Sequence, residues 1–252
     1  MTAALAIVSA TVRQLLPVRR AVVFLIAEAS LALVYLLMAG TFSDEAAALE
    51  RLFLMVITLY FPLLVPIVTL IIASAALGSE RRDGTLSFLV LRPIPRSVIA
   101  ATKVFSAILV AGALNALGGF GLSAAFAIET GTWDLVIPLV AGGLVATIVY
   151  SAIFVPLGFF TDRAVLVGLL FVLIFENGVA FAAPGLSALS PWRLGFSTFN
   201  GLAPNALVDP ILQEFDIELV TVSTSLLRTA VLALFSIAFV TIVLRQRDLA
   251  SE

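Results

Sequence analysis

The sequence has no cysteine, no histidine and a single lysine, Lys103, among 252 residues. Without cysteine there is no disulfide, thiolate nucleophile or thiolate metal site. Without histidine there is no imidazole to ligate a metal or to carry a proton near neutral pH. A phosphate-cradling P-loop needs Gly-Lys-Ser/Thr. Lys103 is flanked by Thr102 and Val104, so that loop is missing and the chain is no ATPase of that kind. Charge is scarce as well. Only 12% of the residues are charged and the net charge is −2, against about 25% charged in an average soluble domain. No global basic charge points to nucleic acid.

What is present is apolar: 62% of the chain is hydrophobic. The runs 52–77, 104–128 and 135–160 contain no charged residue. Each exceeds the roughly 20 residues that cross a hydrocarbon core about 30 Å thick. Buried soluble helices of that length keep a polar face. The expected fold is therefore an all-α integral membrane protein, a single domain over 1–252 with six spans at about 21–40, 52–77, 104–128, 135–160, 164–183 and 221–244. No cleavable signal peptide is expected, because the first apolar run is too long for one. Residues 1–20 read as an interfacial amphipathic helix, with Leu5, Val8, Val12, Leu15 and Leu16 on one side and Arg13 and Gln14 opposite. Arg19 and Arg20 would anchor it to an anionic leaflet. The segment 184–220, interrupted by Pro184, Pro191, Pro204 and Pro210, reads as short half-helices on the outer side.

Sidedness follows from the basic residues. Eleven of the fourteen Lys and Arg residues fall in 1–20, 78–103, at Arg163, and at Arg245 and Arg247. That side should be cytoplasmic, with both termini on it. The remaining three, Arg51, Arg193 and Arg228, fall on the other side or near it, together with most acids and with Trp133 and Trp192, which are expected at the outer interface.

The segment 79–103 is the one long polar stretch, with five basic residues. Asp83 can cap a short helix over Thr85–Leu91, with Leu86, Leu89 and Val90 on one face. Pro93 and Pro95 then stop it, and Ser97 can cap the third span. A short helix held between two spans can pass a push on to both. The order Glu80, Asp83-Gly84-Thr85-Leu86, Pro93, Arg96, Lys103 resembles the first cytoplasmic loop of the permease subunits of ABC-2-type ATP-binding-cassette transporters. The basic tail from Leu244 to Leu249 is similar to theirs too.

The resemblance implies a coupling helix at 79–92 that sits on a separate cytoplasmic ABC ATPase, with Glu80, Arg81, Arg82, Asp83, Gly84, Thr85 and Leu86 as the coupling residues. Pro93, Arg96 and Lys103 complete the loop motif. It implies that this chain binds no cofactor, that ATP and Mg belong to the partner, and that a second permease copy, identical or paralogous, completes a dimer. The implied location is the plasma membrane of a prokaryote. The implied activity is ATP-driven export. An assembly that uses ATP for mechanical signalling, feeding a maturation or motility system, is the alternative.

Three charged residues lie within the spans: Glu28, Glu176 and Arg228. A charge at the bilayer centre costs about 2.5–3.5 kcal/mol on insertion scales. Glu176 and Arg228 count to similar depth, so an ion pair between the fifth and sixth spans is expected. Glu28 has no depth-matched partner. An intramembrane enzyme built on Glu28 or Glu176 is the distant alternative, weakened by the missing histidine and cysteine. The spans carry no charged cavity signature, which favours a lipid-like or amphipathic cargo over a small ion.

Overall fold

In hydrocarbon every backbone N–H and C=O must be satisfied within the chain, and uncharged segments of this length do so as helices. The protein is seen as a computed structural model that describes residues 2–39, 45–85, 94–179, 190–204 and 219–246. Among these residues there is helix and turn but no strand. In chain order the helices are α1 (Thr2–Leu15), α2 (Val18–Ala39), α3 (Glu45–Met55), α4 (Val65–Arg82), α5 (Arg96–Thr130), α6 (Val136–Phe160), α7 (Ala164–Leu170), α8 (Pro191–Leu202) and α9 (Val222–Gln246). A π-helical segment, Val56–Leu64, joins α3 to α4, and another, Phe171–Val179, continues α7.

Among the described residues five helices are long and apolar enough to cross a membrane: α2, the continuous helix through α3 and α4, α5, α6 and α9. The expected fifth span, 164–183, is described only through residue 179, as α7 and its π-helical extension. Pro62 lies inside the first π-helical segment. A proline has no N–H to give and its ring crowds the preceding turn; the wider π turn accommodates both.

α6 is the centre of the bundle, packed against α4, α5, α8 and α9. Its glycines set how closely. A Cβ on Gly158 would lie 2.0 Å from the Ser74 carbonyl oxygen of α4, and one on Gly142 would lie 2.6 Å from the Gly195 carbonyl of α8. Small residues that let backbones touch are the usual means of packing helices where lipid supplies no hydrophobic drive. α2 and α9 lie at the periphery and turn apolar faces outward, including Val23, Ile26 and Leu37, and Leu227, Leu234 and Phe235.

The described part of the expected half-helical segment 184–220 contains α8, a short amphipathic helix with Pro191 at its start that is buried in the bundle. Trp192 is 3% exposed. With Phe196 and Phe199 it stacks into a cluster with Phe53 and Phe61 of the α3–α4 helix, at ring separations of 5.5–6.5 Å. Trp192, expected at the outer interface, is here a core contact. Trp133, in the α5–α6 turn, is exposed. Residues 184–189 and 205–218 lie outside the described residues.

α1 is helical as expected, but its inner face is Ile7, Thr11 and Leu15, and Leu5 is 62% exposed. A hydroxyl rather than a third aliphatic residue occupies the middle of that face, for a reason found in the site.

Candidate functional site

The polar segment is not a loop from its first residue. α4 continues through Ser79, Glu80, Arg81 and Arg82 and ends at Asp83. Gly84 has φ +67°, the left-handed conformation that closes a helix without a Cβ penalty. The Thr85 N–H donates to the Glu80 carbonyl at 3.0 Å and the Gly84 N–H to the Arg81 carbonyl at 3.2 Å. This pair of bonds is the Schellman stop. Asp83 therefore caps the C-terminus of α4, a correction to its expected place at the start of the next helix. The glycine two residues after Arg82 decides it. The remainder of the expected coupling helix, with Leu86 and Pro93, lies outside the described residues. Ser97 does not cap α5; Pro95 precedes the first helical residue, Arg96, with no side-chain cap bond.

Glu80 and Lys103 come together. Lys103, near the start of α5, is 1% exposed and its Nζ forms an ion pair with Glu80 Oε1. The same Nζ donates to Thr11 Oγ1 of α1 at 2.9 Å. A buried ammonium must be paired and hydrogen-bonded, and Thr11 supplies the second acceptor. Gln14 Nε2 of α1 donates to Ser79 Oγ at 3.0 Å. The two ends of the 81–102 connection are thus pinned to each other and to α1.

Arg81 turns to the other side of α4. Its Nη1 donates to the Phe159 carbonyl at 2.8 Å, and its Nη2 lies 3.8 Å from Asp162 Oδ1. Arg82, Asp83, Gly84 and Thr85 are exposed. Of the residues expected to meet a partner, Glu80 and Arg81 are engaged within the chain, and the exposed turn is Arg82–Thr85.

The charged residues in the spans divide differently from the expectation. Glu176 is buried, accepts a hydrogen bond from Ser190 Oγ at 2.5 Å and lies beside Tyr150. The charge of Arg193 of α8 acts on it. Arg228 is half-buried in α9 and is itself engaged. Depth-matching overlooked Arg193, which α8 brings near Glu176. Glu28 is buried against Gly118 of α5, where a Cβ would lie 1.7 Å from Oε2, and neither carboxyl oxygen has a hydrogen-bond partner among the described residues.

Two polar contacts were not anticipated. At the end of the bundle opposite the 79–103 segment, Arg51 Nη1 meets both Glu129 oxygens at 3.1 Å, and the Tyr35 hydroxyl donates to Glu129 Oε2 at 2.6 Å. In the centre, Asn115 Nδ2 donates to Thr69 Oγ1 at 3.0 Å and to Thr147 Oγ1 at 2.7 Å, while the Tyr60 hydroxyl donates to the Asn115 carbonyl at 2.8 Å. Both threonine hydroxyls donate to their own helices four residues back, which leaves their lone pairs for the amide. Asn115 thus ties α4, α5 and α6 at mid-span.

Among the described residues no group of three Asp and Glu side chains could hold a metal ion. A wholly apolar groove of about 620 Å³ runs between α5 and α6, lined among others by Leu117, Phe120, Ile137 and Leu144. The polar side chains meet one another at helix crossings and ends, an arrangement that links elements. In comparison with known proteins, the model of the family described as "ABC-2 family transporter protein" matches residues 16–181. No curated protein matches the chain.

Proposed function

The chain belongs to the ABC-2 family of transporter proteins, and from that premise we propose that it is the membrane-spanning subunit of an exporter driven by a separate cytoplasmic ATPase through the 79–103 segment. The observation that carries the proposal is the construction of the α4 end. Its last turn is tied to α1 and α5 by Glu80 and Lys103, and the turn just beyond, Arg82–Thr85, is exposed. A partner seated there would move several helices at once. The run 164–183 is the fifth of six spans in this reading. The basic end of the bundle is cytoplasmic by its eleven Lys and Arg residues, with both termini there, in the plasma membrane of a prokaryote. A second copy, identical or paralogous, completes the permease, and ATP and Mg bind the partner. The apolar bundle favours a lipid-like or amphipathic cargo.

The test is co-purification of the tagged full chain from native membranes, beside a variant carrying Asp83→Arg and Gly84→Pro. Proline cannot adopt the positive φ of Gly84, and the arginine reverses the charge of the turn. A P-loop ATPase that accompanies the wild type and is lost from the variant is the expected result. Folded wild-type protein without an ATPase would overturn the proposal.

A further inference from the structure

Arg81 reads from sequence as one more basic residue for a partner to touch, but its guanidinium points the other way. Nη1 donates at 2.8 Å to the carbonyl of Phe159, in the last turn of α6. That carbonyl is one of the four at a helix C-terminus with no partner inside the helix, and it sits at the negative end of the helix dipole. A cation donating to it satisfies both needs. Nη2 lies 3.8 Å from Asp162, in the turn that leads to α7, which begins at Ala164. One turn earlier, α4 and α6 are already in backbone contact, with Gly78 against the Gly158 carbonyl and Gly158 against Ser74.

We infer that Arg81 is a positioning residue, a strut that makes the ends of α4 and α6 one rigid unit, so that force on the Arg82–Thr85 turn reaches the central helix and the 161–163 turn directly. The inference rests on the permease reading for the source of the force, while the strut itself belongs to the chain alone. Glu80 and Arg81 are consecutive and serve opposite sides. Glu80 carries the push toward α5 and α1, and Arg81 carries it toward α6 and α7. The hydrogen bond to Phe159 does the holding; the pair with Asp162 is solvent-exposed and long, and such pairs contribute little.

The experiment places spin labels on Arg82→Cys and Arg163→Cys in the full chain in lipid discs, which the absence of native cysteine makes specific. The label-to-label distance is measured in Arg81, Arg81→Ala, Arg81→Lys and Asp162→Asn backgrounds. A narrow distribution is expected with Arg81, a broad one with Arg81→Ala, and a narrow one again with Arg81→Lys, whose ammonium can donate to the same carbonyl. Asp162→Asn should stay narrow. An Arg81→Ala distribution as narrow as wild type overturns the strut. In parallel, unlabelled Arg81→Ala should retain the co-purifying ATPase at the wild-type level; its loss would make Arg81 a partner contact and overturn the inference. If the wild type itself brings down no ATPase, the permease reading fails and the strut is judged by the distances alone.

Discussion

Replacing Glu80 with alanine is expected to cost about 3 kcal/mol of stability, the lower end of the range for breaking a buried ion pair by removing one partner. The lower end applies because the Glu80 side chain is 15% exposed while Lys103 is 1% exposed. The loss arises from the ammonium left behind, which would keep only Thr11 as an acceptor. Lys103→Met should cost less, since the orphaned Glu80 can turn toward water. The double replacement Glu80→Met, Lys103→Met should recover much of the loss, because apolar residues of similar volume can replace a buried pair. The midpoint of thermal unfolding in detergent or discs orders the variants. A Glu80→Ala protein as stable as wild type would show that the pair is not buried in the bundle. The double variant separates stability from coupling: folded, but without the charge link from α4 to α1, it should respond poorly to a partner.

The second large effect is expected at Gly158. A methyl group there would lie 2.0 Å from the Ser74 carbonyl oxygen and 2.7 Å from its carbon, both main-chain atoms of α4. Overpacking usually costs about 1–3 kcal/mol when side chains can shift. Here two helices must separate, so Gly158→Ala should cost more than about 3 kcal/mol and leave little folded protein in the membrane. Gly168→Ala supplies the contrast. Its Cβ would come 2.2 Å from Leu70 Cδ1, the far end of a side chain that can change rotamer. It should be clearly milder. The yield and unfolding midpoint of the two variants check this, and equal losses would mean that the α4–α6 crossing is looser than described.

The sequence made the helices legible because charge-free runs in a membrane protein leave few alternatives. It also showed the polar segment at the end of α4, since Ser79-Glu-Arg-Arg interrupts a long apolar stretch. What it did not show was which side of a helix each polar residue faces. Glu80 and Lys103 stand at matching levels on successive helices, so the pairing could have been read by depth-matching. The same holds for Arg51 and Glu129 at the other end. The expected pair Glu176–Arg228 used that logic and missed Arg193, because the depth of α8 in the bundle cannot be counted from the spans. Arg193, six residues before Phe199 in the aromatic cluster, came in with it. Asp83 was misplaced for a different reason. An aspartate before Gly-Thr suits an N-cap by residue type, but a glycine in the left-handed conformation one residue later ends the preceding helix. Thr11 carried the least signal of all: a threonine in the middle of an amphipathic face looks like a weakness until Lys103 is seen beneath it.

The most direct test of the central claim is site-specific photo-crosslinking from Thr85, at the exposed tip of the α4 turn, in intact cells, with Trp133 on the α5–α6 turn as the control position. The account predicts that a photoreactive residue at 85 captures a P-loop ATPase and that one at 133 does not. Capture of the same ATPase from both positions, or from neither while the protein is folded in the membrane, would contradict it.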